Sequence, residues 1–373
     1  MKKTIIKKNS RFHLIEYLEK FDSKNLFIVT GKQSFKKSGA KEYINKELKN
    51  YNTTFFNNFS INPKFNDALN GSKKCIKNKC DTVIAIGGGS VIDMAKLINA
   101  FIFHKGKEKD LVTGNIKKNP YSLNFIAIPT TSGTGSEETH FAVVYINNKK
   151  YSLALKNLLP SLSIVDPFFT KNLDSYNKAT TAFDALSQSV ESFWNIYATK
   201  RSKNYAARSI KLILKNMNTY INKPTDYSRF NMSKGSNLSG KAINITKTTA
   251  PHAISYPITT YCNIPHGHAV AISLGKFFVI NSGLKSKYKK NPNVKFNLNN
   301  RMRDLFKLFS CESGEECEKI WYDLMRSVGL EVNPKKLGIS KKSVIKLIKK
   351  DVNTERLKNN PVIINKQIID ELF

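Results

Sequence analysis

The chain has 373 residues, more than one compact core usually serves, and at 40 % hydrophobic and 11 % aromatic it has the material for a core in each of two domains. No run approaches the roughly 20 apolar residues that span a bilayer, the basic start MKKTIIKKNSRFHLIEYLEK lacks a signal peptide's apolar stretch, and five cysteines without CxxC spacing argue against a disulfide framework or zinc ribbon, so a reduced, cytoplasmic protein without membrane contact is expected. The net charge of +33 raises nucleic acid as a partner, but the charge is almost all lysine scattered among asparagines, with eight arginines and none between Arg11 and Arg201; a solvated basic surface without nucleic-acid recognition is the expectation.

In chain order, KNLFIVTG, DTVIAIGGG and LNFIAIPTT are apolar runs ending in turn residues, which predicts buried parallel strands. SVIDMAKLINAFIFH, after the second run, has helical spacing. This alternation predicts an α/β domain over 1–165 with a doubly wound, Rossmann-like sheet. Beyond SIVDP the texture changes. NKATTAFDALSQSVESFWNIYAT, SKNYAARSIKLILKNMNTYI, GEECEKIWYDLMRSVGL and KKSVIKLIKK are helical, giving an all-α domain over 166–373, with LKSKYKKNPNVKFNLNN expected as a surface loop.

Two turns stand out in the first domain. Gly87, Gly88, Gly89 and Ser90 join a buried strand to a helix, where backbone N–H groups and the helix N-terminus can face a pyrophosphate. PTTSGTGSE, with Thr130, Thr131, Ser132 and Thr134, follows the next strand and would line the same crevice. Both turns together favour phosphate contact over plain tight turns. Asp93 and Lys96 follow in the helix; the aspartate either serves the site or favours the helix N-terminus, and the lysine either serves the site or is solvated.

The second domain concentrates polar chemistry. Asp184, Gln188 and Glu191 make a polar stripe on an otherwise apolar helix, which needs partners if it faces inward and none if it faces solvent. Three of the six histidines, His252, His266 and His268, fall within seventeen residues, the first two 14 apart with a Pro-His-Gly turn at the second. That spacing suits two neighbouring elements meeting at one ion.

In order and spacing, GGGSVIDMAK, AIPTTSGTGSE, FDALSQSVES and HAISYPITTYCNIPHGH resemble the iron-containing alcohol dehydrogenase family over nearly the whole chain. The resemblance implies the fold that this family shares with dehydroquinate synthase, a dinucleotide whose pyrophosphate lies on the GGGS loop, and a divalent metal, Fe2+ or Zn2+, on Asp184, Gln188, His252 and His266. Gln188 departs from the family's usual histidine, and Tyr256 replaces another histidine four residues after the first histidine ligand. The wording of these motifs is most similar to the phosphonoacetaldehyde reductase branch. That implies hydride transfer from NADPH or NADH to a small aldehyde, in a cytoplasmic homodimer. Gly31, with Lys32 and Ser34 following, stands where the family often has a ribose-binding aspartate, which favours NADPH; Lys150 joins the cofactor contacts. Tyr256 and His268 are the candidate proton donors, and Arg208, Lys241 and Lys247 the candidate partners for a phosphonate. Two alternatives stay open: a sugar-phosphate cyclase lyase, and a catalytically inactive nucleotide-binding or nucleic-acid-binding protein.

Overall fold

A computed structural model of the chain describes residues 2–116, 120–147, 149–283 and 288–373. It divides into two compact units, 1–173 and 174–373. Among the described residues eight strands occur, all in the first unit: β1 (Lys3–Ile6), β2 (Asn25–Thr30), β3 (Asn52–Phe56), β4 (Thr82–Gly87), β5 (Asn124–Pro129), β6 (Phe141–Ile146), β7 (Lys149–Ala154) and β8 (Leu162–Val165). Six form one sheet in the order β1-β8-β5-β4-β2-β3, every neighbouring pair parallel, while β6 and β7 form a separate antiparallel hairpin.

The side-chain period of two explains why the central strands are continuous apolar runs. Val83 and Ala85 of β4 join one core layer with Phe27, Val29, Phe125 and Ala127, whereas Ile84 and Ile86 join the opposite layer with Ile28, Ile126 and Ile128. Both faces are covered, so neither set of alternating residues can be polar. The boundary falls eight residues beyond the expected one. Phe169 lies just past β8 and is buried with Leu162 and Ile164, which holds the segment after the last strand in the first unit.

The second unit is helical. Ser175–Trp194 opens with Asp174, whose carboxylate accepts from the Asn177 N–H, and is followed by Lys200–Asn222, Asp226–Thr246, Ala250–Cys262 and His266–Ser282. The segment expected as a loop is only partly one. Residues 284–287 lie outside the described residues, and Asn297 caps a helix, Leu298–Leu308, through a side chain that accepts from the Asn300 N–H. Among the described residues no helix is long and apolar enough to cross a membrane.

Candidate active site

In the first unit the two glycine turns lie side by side. The Thr130 N–H donates to the Gly87 carbonyl at 3.0 Å. A Cβ on Gly89 would come within 2.6 Å of the Thr134 side chain, and one on Gly88 within 3.4 Å of Thr131. Glycine is therefore needed at 89 for the second turn to close against the first. Gly88, Gly89, Ser90, Thr131 and Thr134 are partly exposed, while Thr130 and Ser132 are buried. At the end of β2, Gly31 and Ser34 are half-buried and Lys32 is exposed. Lys150 lies on β7, half-buried, with its charge felt at Asp93.

Asp93 and Lys96 belong to the fabric beneath these turns. Asp93 accepts from the Ser136 hydroxyl at 2.6 Å and the Val143 N–H at 3.0 Å. Lys96 is fully buried, and its Nζ lies 2.7 Å from the Ser136 carbonyl, 3.0 Å from Ser136 Oγ, 2.9 Å from Thr139 Oγ1 and 3.0 Å from the Phe141 carbonyl. A solvated Lys96 is thus ruled out. Burial lowers its pKa to about 8, against the support of the Asp93 carboxylate. Burial likewise pushes Asp93 up, against the pull of Lys96.

In the second unit the polar stripe faces inward: Asp184, Gln188 and Glu191 are all buried. Glu191 supports the first histidine. Its Oε1 pairs with His252 Nδ1, and its Oε2 accepts from the Thr249 N–H at 2.6 Å and hydroxyl at 2.8 Å. This fixes the imidazole so that Nε2 is the nitrogen left over. That atom is buried without a hydrogen-bond partner and lies 3.4 Å from Asp184 Oδ1. His266 is oriented by Ser255: the Ser255 hydroxyl donates to the His252 carbonyl at 2.8 Å, so its oxygen is left to accept from His266 Nδ1 at 3.3 Å. One ligand atom from each of Asp184, His252 and His266 lies within 4.8 Å of the others.

These residues fit a divalent ion. A buried imidazole nitrogen without a hydrogen-bond partner, a carboxylate and a second imidazole converge, each histidine oriented through its other nitrogen. The surroundings demand positive charge: burial lowers the His252 pKa, but Glu191 and Asp184 outweigh it and hold it at about 9. Gln188 sits against the cluster, its Nε2 3.4 Å from Asp184 Oδ1 and its Oε1 3.0 Å from Ser239 Oγ. So arranged, it presents N–H to the cluster, where the resemblance implies an oxygen ligand. Yet Ser239 Oγ also lies 2.7 Å from the Ser236 carbonyl. A hydroxyl has one hydrogen, so donation to Ser236 leaves Ser239 only an acceptor role toward Gln188. The reversed amide satisfies that role and turns its oxygen toward the Asp184 side of the cluster.

Gly267 is the residue that sequence reasoning passed over. A Cβ there would lie 1.9 Å from the Thr180 carbonyl oxygen and 3.0 Å from Asp184 Cβ. Only glycine lets the helix that begins at His266 approach the helix carrying Asp184. The Pro-His-Gly wording is the available signal, and in sequence it indicates a turn rather than a close approach of two helices.

His268 does not join the cluster. It is buried, with Nε2 2.7 Å from the Glu331 carbonyl and Nδ1 3.2 Å from the Tyr176 hydroxyl. Both nitrogens are engaged in these contacts, and burial lowers its pKa. Tyr256 does reach the site: its ring lies 5.7 Å from that of His266. Burial raises its pKa, opposed by Arg356. Of the three basic candidates, Arg208 is exposed on Lys200–Asn222, Lys241 is half-buried two residues beyond Ser239, and Lys247 pairs with Glu355 at 2.6 Å.

Comparison with known proteins agrees with this layout. Residues 2–167 match the model described as iron-containing alcohol dehydrogenase, and residues 178–373 that of the Fe-containing alcohol dehydrogenase family, C-terminal. An aldehyde-alcohol dehydrogenase of Streptococcus pneumoniae is 30 % identical over 285 residues, 71 % of this chain and 32 % of that protein. A phosphonoacetaldehyde reductase of Streptomyces viridochromogenes is 31 % identical over 212 residues, 54 % of each. The chain thus spans between about a third and about half of the length of these curated relatives. A sulfoacetaldehyde reductase from Bifidobacterium kashiwanohense, solved with NAD+, superposes with a TM-score of 0.88 at 26 % identity, covering 100 % of this chain and 96 % of that one. With both family models matched in order along almost its whole length, the chain belongs to the iron-containing alcohol dehydrogenase family.

Proposed function

We propose that this chain reduces a small aldehyde to its alcohol with a nicotinamide dinucleotide and a divalent metal, and that the aldehyde is phosphonoacetaldehyde. The observation that carries the reading is the convergence of Asp184, His252 and His266 around an unpartnered, buried His252 Nε2. Asp184, His252 and His266 would hold the ion, with Gln188 as fourth ligand once its amide is reversed onto Ser239. When bound, the ion polarises the carbonyl and the reduced nicotinamide supplies the hydride. The chain does the rest. Glu191 keeps the His252 lone pair aimed at the ion, and the two glycine turns offer backbone N–H groups to the pyrophosphate. Tyr256 Oη donates the proton that completes the alcohol. Gly31 and Lys32 put no carboxylate at the position that would repel a 2′-phosphate, which supports NADPH over NADH. The phosphonate assignment draws on the Streptomyces relative. Fe2+ or Zn2+ both suit a carboxylate–imidazole set.

The test is consumption of NADPH and of NADH by the metal-loaded protein with phosphonoacetaldehyde, before and after chelation. Turnover that chelation abolishes and metal restores is expected. Turnover indifferent to chelation overturns the metal assignment, and oxidation of neither cofactor with any short aldehyde overturns the reductase reading.

A further inference from the structure

The turn that precedes His252 is built around two cations. Lys247 has φ 61° and ψ −174°, a strained conformation for a side-chain-bearing residue, held by 2.7 Å hydrogen bonds from its N–H to the Ile243 carbonyl and from the Thr246 hydroxyl to its own carbonyl. Asn359 donates to the Thr248 carbonyl at 2.9 Å, which fastens this turn to the segment carrying Arg356. Arg356 is 6 % exposed. Its only ion pair among the described residues is with Glu355 Oε1 at 3.4 Å, and that same oxygen lies 2.6 Å from Lys247 Nζ. Two cations therefore share one carboxylate, and the more buried of the two has the longer contact. A buried guanidinium without a full counter-charge calls for an anion.

The excess charge lies beside the metal cluster. The Tyr256 ring lies 5.7 Å from that of His266, tilted by 31°, while its side chain hydrogen-bonds with Arg356 and Thr248. The two ends of one side chain thus mark a ligand histidine and a buried cation.

We propose that Arg356, assisted by Lys247, is the specificity-determining cation that receives the acidic head of a short aldehyde, a phosphonate or sulfonate one carbon from the carbonyl. The proposal rests on the aldehyde-reductase reading above, which it supplies with a substrate class. The planar fork of arginine can hold two oxygens of such a head, and a lysine at the rim adds charge without fixing geometry. Arg208, exposed on another helix, has no part in it.

The experiment compares kcat/KM for phosphonoacetaldehyde, sulfoacetaldehyde and uncharged propanal in the metal-loaded wild type, Arg356→Met, Arg356→Lys and Lys247→Met, alongside thermal shifts induced by methylphosphonate. The charged-to-neutral preference should fall roughly 10- to 100-fold in Arg356→Met, the size of a lost charge-assisted hydrogen bond, mostly through KM. Arg356→Lys should recover part of it, and Lys247→Met should lose less. Methylphosphonate should stabilise the wild type and not Arg356→Met. If Arg356→Met does not fold, Arg356→Lys and Lys247→Met carry the test, and unchanged preference in both overturns the proposal. A wild type that prefers propanal and gains no stability from methylphosphonate also overturns it. If no aldehyde is reduced but methylphosphonate stabilises the wild type in an Arg356-dependent way, the anion site stands and the reductase reading falls. The phosphonate and sulfonate arms decide which head is preferred.

Discussion

Each unit buries a cluster of charge, and the two clusters are built to opposite ends. Beneath the glycine turns, Lys96 is enclosed by four oxygen acceptors and balanced by Asp93. In the helical unit, Asp184, His252 and His266 converge on a point that none of them fills, and His252 Nε2 has no partner. The first cluster is closed and holds loops in place. The second is open and demands a cation. Burial and charge are common to both, so neither separates a structural network from a ligand site. What separates them is whether the polar atoms satisfy one another.

Four substitutions test that difference, taken from the largest expected effect. Gly267→Ala pushes a methyl into the Thr180 carbonyl and should cost about 3 kcal/mol or more, with loss of metal, read by denaturant unfolding and elemental analysis. Retained stability and metal would show that the two helices can part without harm to the open cluster.

Lys96→Met should cost about 3 kcal/mol, because four acceptors lose their donor, and should leave metal content unchanged. This lysine also has a pH signature. Its folded pKa of about 8 lies below the ordinary lysine value of 10.5, so between those values the unfolded chain holds the extra proton. Stability relative to Lys96→Met should therefore rise with pH from about 8 to 10.5 and be lost as pH falls through 8. A flat difference in urea midpoints across that window would mean that the closed cluster does not depress the lysine.

Glu191→Gln keeps the shape of the His252 support but removes its charge, and metal affinity should drop roughly 10- to 100-fold in competition with a chromogenic chelator. Unaltered affinity would make Glu191 a packing group only. The smallest effect belongs to the surface. Lys32→Ala should lower the NADPH-to-NADH preference only roughly two- to fivefold, as expected of one exposed charge.

The sequence made the sheet's centre legible and its edges obscure. β2, β4 and β5 are apolar on both faces and announce themselves as nearly unbroken runs, whereas the short β8, interrupted by Ser163, does not. β1 and β3 are edge strands with lysine, threonine and asparagine among their residues, and the β6–β7 hairpin stands outside the main sheet; none of the three has that pattern. At the candidate site, the meeting of Asp184, His252 and His266 was legible from spacing and resemblance together. Roles set by a neighbour's geometry were not. Gly267 matters because of a carbonyl on a helix some 87 residues earlier, and His268 is occupied by a hydroxyl and a carbonyl that no local pattern reveals. Arg356 lies about a hundred residues beyond Tyr256, in a chain where 61 basic residues give any one of them little distinction.

The candidate ligand atoms of Asp184, His252 and His266 come from three separate helices, Ser175–Trp194, Ala250–Cys262 and His266–Ser282, and none of these helices offers more than one of the three. Ion binding is consequently linked to the folding equilibrium of the helical unit. Each tenfold rise in free metal above the dissociation constant adds about 1.4 kcal/mol to the unfolding free energy. Metal supply would then set the stability of the protein as well as its rate.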